Sequence, residues 1–208
     1  MSQNHFHHSA ASPLEKEEIA FGNLIQYFSE QGTLSKTDEQ LIRQYGTYKT
    51  VLRGTFLHKE GTITNDTFFV VKGLFRLFSR NYEGEEINLQ FSAETYWVND
   101  YESYLSGKSS DNNLEALEDS EVIAFKKEDL NDLLQNSPTI YHLVEKLTEK
   151  NTLYNRTRLM HQIKDSPQKR YQDFVAQFTD IYNRIPLYML ASYLGISRKT
   201  LTRIRGGK

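Results

Sequence analysis

The spacing of apolar residues changes twice along this chain, and these changes limit it to a fold with both helices and strands. Apolar residues recur at helical spacing between Glu15 and Tyr45, and again after Phe125. Between Tyr48 and Phe125 they form short runs separated by turn residues, as strands do. Strands that follow one another without intervening helices are typical of a barrel or roll. We therefore predict an α+β fold in which helices flank an N-terminal double-stranded β-roll.

Turn residues divide the middle of the chain into predicted strands. A Lys59-Glu60-Gly61 turn, Gly73 and the segment Tyr82–Glu85 interrupt the apolar runs. The strands are predicted at Thr50–His58, Phe68–Phe78, Ile87–Phe91, Leu114–Leu117 and Glu121–Phe125. Asp100–Leu105 is predicted to form a single helical turn between them.

A long helix is predicted after the roll. Ser137 before Pro138 is a strong start signal, because serine caps free backbone N–H groups and proline fits the first helical position. Helical spacing continues to about residue 163. One stripe steps alternately by four and three residues, through Ile140, Val144, Leu147, Asn151 and Tyr154. We predict that this stripe pairs with a second copy of the chain and that Asn151 fixes the register; the alternative is packing against the chain's own roll.

These signals divide the chain into four segments. We predict a flexible arm at 1–14, a β-roll sensor domain with flanking helices at 15–136, a dimerisation helix at 137–163 and a small all-helical domain at 164–208. The arm contains His5, His7 and His8, which a metal ion could bind. Histidines in a loose arm are more often incidental, so we predict no metal site.

Net charge differs in sign between the two parts of the chain. Lys164–Lys208 holds nine Lys and Arg against three Asp, whereas the whole chain holds 25 basic and 27 acidic residues. The C-terminal segment is therefore basic and the rest is acidic. A basic module favours a polyanionic partner, because each neutralised phosphate releases counterions. The alternative is an ordinary solvated cationic face.

The most informative segment is Leu187–Arg205, which has the pattern of two helices joined by a tight turn. Gly195 permits the positive φ that such a turn requires, and Ser197 would cap the second helix. The buried positions are predicted to be Leu190, Ala191, Ile196, Leu201 and Ile204.

The outer face of the second helix is predicted to be polar and strongly basic. It would carry Arg198, Lys199, Thr202, Arg203 and Arg205. A basic helix exposed after a tight turn is how helix-turn-helix proteins enter the major groove, whereas an ordinary helical hairpin rarely combines these features. We predict that this face, with Ser197, binds double-stranded DNA.

The segment Gly195-Ile-Ser-Arg-Lys-Thr-Leu-Thr-Arg-Ile204 resembles the recognition segment of the Crp/Fnr family of transcription regulators. The order of elements is also similar to that family's. The Phe68–Gly73 run and the Glu83–Glu86 hairpin resemble its cyclic-nucleotide-binding-like roll. The resemblance implies a homodimer that binds DNA through the C-terminal helices.

The resemblance also implies roles for single residues. Arg198 and Arg203 would read guanine through its N7 and O6 atoms, and Ser197 would contact a phosphate or a base edge. Lys199 stands where many members carry glutamate, which accepts a hydrogen bond from cytosine. Lysine cannot accept one, so the family's usual half-site is not expected here.

Departures from the family pattern affect the ligand. Cyclic-nucleotide binders of the family hold the nucleotide with a Gly-Glu-Leu segment and a following Arg-Ser pair. Here Asn99 falls near the Glu position, and Ser110-Asp111 falls near the Arg-Ser pair. The cationic anchor is missing and Asp111 would repel a phosphate. We therefore expect that cAMP is not the effector, and we predict no cofactor.

The roll could instead hold an unknown small-molecule effector. Aromatic residues are dense in the loop that contains Tyr96, Trp97, Tyr101 and Tyr104, and they could line a pocket for a planar ligand. The alternative is that they pack the roll against the long helix. The predicted pocket residues are Tyr96, Trp97, Asn99, Ser110, Asp111, Asn151 and Tyr154.

The end of the sequence leaves little room for a β-wing beside the two C-terminal helices. Few residues separate Phe178 from Pro186, and Gly206–Lys208 follows the last helix directly. A wing is therefore expected to be short or missing. Phosphate contacts would then come from Lys169, Arg170, Arg184, Arg205 and Lys208.

Missing residue types exclude several classes of protein. The absence of cysteine excludes disulfides, thiolate zinc sites and cysteine-ligated iron–sulfur clusters. No apolar run is long enough to span a membrane, and no secretory signal is visible, so a cytoplasmic protein is expected. A metal-dependent β-roll enzyme needs several histidines in the roll, and Tyr48–Phe125 contains only His58. We predict no enzyme; haem binding through His58, His142 or His161 stays open.

The leading hypothesis is a sequence-specific, DNA-binding transcription regulator with a degenerate effector domain. The alternative is a cyclic-nucleotide or other small-ligand sensing module that acts through a protein partner.

Overall fold

The computed structural model describes residues 12–207 of the chain. The helices are α1 (Pro13–Ser29), α2 (Lys36–Tyr45), α3 (Tyr101–Ser106), α4 (Lys127–Asn136), α5 (Pro138–Lys164), α6 (Pro167–Gln177), α7 (Leu187–Tyr193) and α8 (Arg198–Arg205). The strands are β1 (Thr47–Val51), β2 (Phe56–His58), β3 (Asp66–Lys72), β4 (Phe75–Arg80), β5 (Glu86–Ser92), β6 (Trp97–Val98), β7 (Asn112–Ala116) and β8 (Ser120–Lys126). The α+β prediction is confirmed.

Helix α1 includes the last two residues of the predicted arm, Pro13 and Leu14. Ser12 accepts a hydrogen bond from the Glu15 N–H at 3.2 Å, and the Glu15 carboxylate accepts one from the Ser12 N–H at 2.7 Å. This capping box satisfies two free N–H groups, and Pro13 fits the first turn, so the helix includes Leu14. His5, His7, His8 and Lys208 lie outside the described residues.

The strands form two antiparallel sheets of four strands each, with the orders β1-β8-β3-β6 and β2-β7-β4-β5. Two of the predicted strands are each divided into two strands that belong to different sheets: Thr50–His58 corresponds to β1 and β2, and Phe68–Phe78 corresponds to β3 and β4. The chain changes sheets at Gly73, where φ is +107° and a Cβ would collide with the Ser120 side chain. The other change follows Val51, and Gly54 there has φ +80°. Period-two patterning does not reveal such a crossing, because both sheets bury their inner faces.

Two hydrophobic clusters stabilise the roll. One lies between the sheets and includes Phe68, Val70, Phe75, Leu114 and Val122. The other lies under the flanking helices α1, α2, α4 and the start of α5, and includes Phe28, Ile42, Phe69, Phe125 and Ile140. The first N–H groups of α5 are capped by Ser137, whose hydroxyl also donates to Asp38 of α2 at 2.5 Å.

A third cluster joins the C-terminal helices to the roll. Leu74, Phe91 and Ala93 from the roll pack with buried residues of the C-terminal domain. The latter are Phe174, Phe178, Ile181, Ile185, Met189, Leu190, Ala191, Tyr193, Leu194 and Leu201. The C-terminal domain therefore shares a core with the roll rather than hanging from a linker.

The stripe predicted to pair with a second copy packs mainly within the chain, as the alternative expected. Ile140 is fully buried in the cluster under the flanking helices, and Val144 and Leu147 pack against it. Tyr154 packs against the third cluster, and only Asn151 is exposed. In the second half of α5, the exposed large hydrophobic residues are Leu153, Leu159, Met160 and Ile163.

No helix among residues 12–207 is both long enough and apolar enough to cross a membrane.

Candidate nucleic-acid interface

Helices α7 and α8 form a helix-turn-helix around Gly195. The turn takes φ +63° at Gly195, and the Ile196 N–H donates to the Ala191 carbonyl at 3.0 Å. Ser197 then caps α8, because its hydroxyl oxygen accepts a hydrogen bond from the Thr200 N–H at 3.0 Å. Gly195 and Ser197 have the local roles that the sequence predicted, whereas Ile196, predicted to be buried, is half-buried. The turn is therefore specified locally, by one glycine and one cap.

One face of α8 is buried and the other is basic. Leu201 is fully buried, whereas Ile204, predicted to be buried, is only half-buried. The exposed face carries Arg198, Lys199, Thr202, Arg203 and Arg205. None of these four cations forms a salt bridge with any residue in the described part of the chain. The helix therefore presents free guanidinium and ammonium groups to solvent.

The hydroxyl groups on α8 are partly used within the helix. Ser197 is engaged in the cap, and its oxygen also lies 2.9 Å from the Thr200 hydroxyl. The Thr202 hydroxyl donates to the Arg198 carbonyl at 2.9 Å. Thr202 can consequently offer only its oxygen lone pairs to another donor, whereas the arginines can offer several N–H groups.

Helix α7 is held against strand β5 of the roll. The Ser192 hydroxyl accepts from the Asn88 N–H and donates to the Glu86 carbonyl, both at 3.0 Å. Beside it, the Tyr193 ring lies 5.3 Å from the Phe91 ring. These contacts fix one side of the helix-turn-helix and leave the basic face of α8 outward.

Arg184 adds an ion-pair contact between the two domains. Its guanidinium donates to Glu94 at 2.8 Å and to Glu118 at 2.6 Å. Burial acts to raise the pKa of Glu94, but hydrogen bonds from Arg184 and the Gly73 N–H outweigh it and hold the pKa below its ordinary value. The prediction that Arg184 contacts phosphate is therefore wrong, since its donors are already occupied by two carboxylates.

The other predicted phosphate contacts differ in their surroundings. Lys169 pairs with Asp173, and Arg170 donates to the Gln162 carbonyl at 2.9 Å. Arg205 is exposed, and Lys208 lies outside the described residues. Residues 165–207 contain three helices and no strand, so the structure describes no wing there.

The loop that contains Asn99 and Ser110, which the family resemblance aligns with the nucleotide-binding residues, is held together by the Asp100 carboxylate. Asp100 caps α3, and its carboxylate accepts hydrogen bonds from the Ser110 hydroxyl and, at 3.0 Å, from the Asn112 amide. Burial acts to raise the pKa of Asp100, but these hydrogen bonds hold it below its ordinary value. The Ser110 hydroxyl and the Asn112 amide, which could otherwise donate to an anion, are thus engaged internally.

The predicted pocket residues do not converge on one site. Trp97 packs in the cluster under the flanking helices, 5.4 Å from the Phe69 ring. Ser110 is buried against Asp100, whereas Asp111 and Asn151 are exposed and Asn99 is half-buried. Tyr154 and Tyr96 lie near the C-terminal domain: the Tyr154 hydroxyl is 3.4 Å from that of Tyr193, and the Tyr96 ring is 6.2 Å from Phe178.

His58 is the one buried histidine of the roll, and it lies beside the Asp100 network. Its Nδ1 atom is 3.0 Å from the Thr64 hydroxyl, and the Thr64 N–H donates to Ser103 at 3.0 Å. Burial lowers the pKa of His58, and the nearby Asp100 carboxylate opposes this only in part. The histidine is therefore more readily protonated in the unfolded chain than in the folded one.

This shift predicts a loss of stability in mild acid. Below about pH 6.5 the unfolded state binds a proton at His58 that the folded state resists, so the free energy of unfolding should fall as the pH drops. The fall continues until the pH passes the lowered folded pKa. Urea unfolding at pH values from about 7 to about 5 should show a shallower decline for His58→Gln than for the original chain. The exposed His142→Gln is the matched control, and equal declines in all three proteins would contradict the assignment.

Comparison with known proteins finds a family model that matches the roll. Residues 48–137 match the cyclic nucleotide-binding domain family. No curated protein sequence matches the chain.

Several solved structures share the fold at low sequence identity. The c-di-GMP-responsive global regulator CLP of Xanthomonas campestris superposes with a TM-score of 0.67 and 13% identity, over 83% of this chain and 91% of CLP. FixK2 of Bradyrhizobium japonicum gives 0.67 and 15%, over 78% and 83% of the two chains. A protein from Eubacterium rectale assigned to the Crp/Fnr family gives 0.64 and 20%, over 86% and 85%.

Proposed function

We propose that this chain, which has the fold of the Crp/Fnr transcription regulators and a cyclic nucleotide-binding-like roll, is a sequence-specific DNA-binding transcription regulator. The observation that carries the proposal is the exposed face of α8. It presents Arg198, Lys199, Arg203 and Arg205, with no salt bridge to any described residue, directly after a glycine turn and a serine cap.

This face suits the major groove for two chemical reasons. Arginine can form two hydrogen bonds to the O6 and N7 acceptors of guanine, which no other base pair presents in the same pattern. Cations without internal partners can also neutralise phosphates and release counterions. A basic face that served only solubility would need no Gly195 turn and no buried Leu201 behind it.

Selection from a random duplex library at roughly physiological salt tests the proposal. We expect enrichment of an inverted repeat whose half-sites lie one helical turn, about 34–36 Å, apart. Fluorescence anisotropy on the enriched duplex should then show binding that is much tighter than to a scrambled duplex. Weak, salt-sensitive binding without a motif would contradict sequence-specific recognition.

The degenerate effector domain is supported by the Asp100 network. A phosphate in that loop would meet a carboxylate that already holds Ser110 and Asn112, and no arginine lies between Arg80 and Arg156. The alternative function, a cyclic-nucleotide module acting through a protein partner, requires binding at this loop. Calorimetry with cAMP and cGMP separates the two: heat of binding at micromolar concentrations would favour the alternative.

Dimerisation through the uncovered apolar face of α5 completes the proposal. Leu153, Leu159, Met160 and Ile163 are 64%, 58%, 51% and 75% exposed, and all lie on one side of the second half of the helix. Exposed apolar side chains on one face of a long helix are stabilised when an identical face covers them. Two-fold symmetry would present two copies of α8 to successive major grooves.

Charged substitutions on that face should separate the dimer. Leu153→Glu/Met160→Glu replaces two apolar side chains per protomer, which the dimer would bury, by carboxylates. The dimer dissociation constant should therefore rise at least about 100-fold. Sedimentation equilibrium at micromolar concentration measures this, with circular dichroism to confirm that the helices persist. Leu52→Glu, at a loop position that is 72% exposed, is the matched control. A monomeric original chain would overturn the proposed interface.

A further inference from the structure

A cavity of about 400 Å³ lies between the second half of α5, helix α6 and the end of α7. Its walls include Tyr154, Arg158, Arg170, Phe174, Phe178 and Tyr193. It is separate from the loop around Asp100 and from the exposed face of α8, although Lys169 and Arg170, two of the predicted phosphate contacts, line it. It lies where the long helix meets the helix-turn-helix domain.

Four of the residues that line this cavity are phenylalanine or tyrosine. The Phe174 and Phe178 rings are 4.8 Å apart, and the Phe174 and Tyr193 rings are 5.3 Å apart. The Tyr154 hydroxyl closes one side, 3.4 Å from the Tyr193 hydroxyl. Aromatic rings at these separations offer tilted and edge contacts to a further ring, so the cavity suits a flat apolar group.

The polar part of the lining is cationic and incompletely satisfied. Arg170 donates from Nη1 to the Gln162 carbonyl at 2.9 Å, but its buried Nε atom has no hydrogen-bond partner among residues 12–207. A guanidinium has five N–H donors, so Arg170 has further N–H groups besides those at Nη1 and Nε, and a carboxylate or phosphate oxygen is the acceptor that they bind best. Arg158 lies 4.0 Å from the Tyr193 ring centre and adds a second positive charge.

The acidic groups near the cavity already have partners. Asp173 pairs with Lys169, and Asp165 pairs with His161. The ligand atoms of His161, Asp165 and Asp173 lie within 4.8 Å of one another, which makes a divalent cation the competing occupant. The Lys169 ammonium, which pairs with Asp173, would repel a cation bound between these three residues. Among the described residues, the unpaired positive charge at the cavity is then that of Arg158 and Arg170.

We propose that this cavity binds a small aromatic anion, with its ring against Phe174, Phe178 and Tyr193 and its carboxylate or phosphate on Arg170. Of the residues that the sequence suggested for an effector pocket, Tyr154 lines this cavity. Tyr96 is not part of the lining, and its ring lies 6.2 Å from that of Phe178.

Such a ligand would act on the helix-turn-helix directly. Gln162 of α5 donates to the Tyr193 carbonyl at 3.2 Å, and the Arg170 guanidinium lies beside Gly195 in the turn before α8. Occupancy would therefore set how α7 and α8 are held relative to α5. This regulatory role rests on the proposed function, whereas ligand binding itself does not.

The cavity stays open in the proposed dimer. Tyr154, Arg158 and His161 are spaced by three or four residues and share one face of α5. Met160 and Ile163 fall on the opposite side, because each residue advances the helix by about 100°.

Calorimetry on the full chain tests the site with defined probes. Benzoate and phenyl phosphate supply the two anionic groups, benzamide is the neutral isostere, acetate is the anion without a ring, and zinc chloride tests the cation. We expect at least one aromatic anion to bind with a dissociation constant below about 1 mM, and benzamide and acetate to bind at least tenfold more weakly. Arg170→Gln should weaken the aromatic anion at least tenfold, and Arg53→Gln, at an exposed loop position, should change nothing.

The outcomes separate this site from the proposed function. Failure of both aromatic anions, equal binding of acetate, binding unchanged in Arg170→Gln, or binding of zinc alone would each overturn the proposal. Should Arg170→Gln fail to fold, Thr157→Trp fills the cavity from its exposed rim and should abolish binding in the same way. Anisotropy on the selected duplex, with and without the bound probe, should show at least a threefold change in DNA affinity. If no duplex is selected but the probe binds, the proposed function fails and the site stands.

Discussion

Replacing Arg198 by alanine should weaken binding to the selected duplex by about 5- to 150-fold, because a bidentate arginine–guanine pair contributes about 1–3 kcal/mol. Arg198 begins α8, is exposed, and forms no salt bridge with any residue in the described range. Its loss therefore removes no internal contact of its side chain. The specificity should relax at one base position per half-site, which selection with the variant measures.

The double variant Arg198→Ala/Arg203→Ala should lose sequence-specific binding altogether. The two arginines would read separate bases, so their losses should be roughly additive, at about 2–6 kcal/mol. Anisotropy at two salt concentrations distinguishes the residual binding, which should be purely electrostatic. Lys126→Ala, an exposed cation on the roll, is the matched control. Unchanged sequence preference in the double variant would exclude α8 as the recognition helix.

Phe91→Ala should destabilise the protein by about 3–5 kcal/mol, the cost of removing a buried phenyl ring without filling its space. Phe91 is 3% exposed and packs against Tyr193 and the rest of the third cluster. The ring is part of the roll but covers the C-terminal domain, so its loss should loosen the attachment of α7 as well as the roll. Urea unfolding followed by circular dichroism measures the first effect.

Limited trypsin digestion measures the second effect. Cleavage after Lys164, Lys169 or Arg170 should become faster in Phe91→Ala than global unfolding alone explains, since the C-terminal domain separates before the roll unfolds. Ile87→Ala, on the same strand but 38% exposed, is the control. It should change the free energy of unfolding by no more than about 1 kcal/mol and should not speed up cleavage beyond what that change explains. A Phe91→Ala protein as resistant as the control would show that the shared cluster does not hold the domains together.

The helix-turn-helix was predictable from sequence because its signals are local. A glycine with positive φ, a serine cap and buried residues three or four apart all act within one or two turns of chain. The same holds for the starts of α5 and α6, where Ser-Pro pairs give both cap and first residue. Such features survive in any tertiary context.

The rest depends on what lies across the fold. Helical spacing alone cannot show that Val144 packs within the chain and that Met160 is exposed. The position of the roll decides which side of α5 is covered. In the sequence, Arg184 cannot be distinguished from a phosphate-binding arginine. Its role as an ion-pair partner follows only from the positions of Glu94 and Glu118 in the fold. The cavity with Arg170 likewise arises from three helices that meet, so no single stretch of sequence announces it.

The core shared between the roll and the C-terminal helices also limits how this protein can be re-engineered. Grafting a foreign helix-turn-helix domain after α5 would leave Leu74, Phe91 and Ala93 facing a surface that did not evolve to cover them. The new domain would also need a hydroxyl at the Ser192 position and a cation at the Arg184 position to meet the backbone of β5 and the two glutamates. If the proposed function holds, a change in the DNA sequence that is bound is therefore better made by substituting the outer face of α8 alone, since those side chains take no part in the shared core.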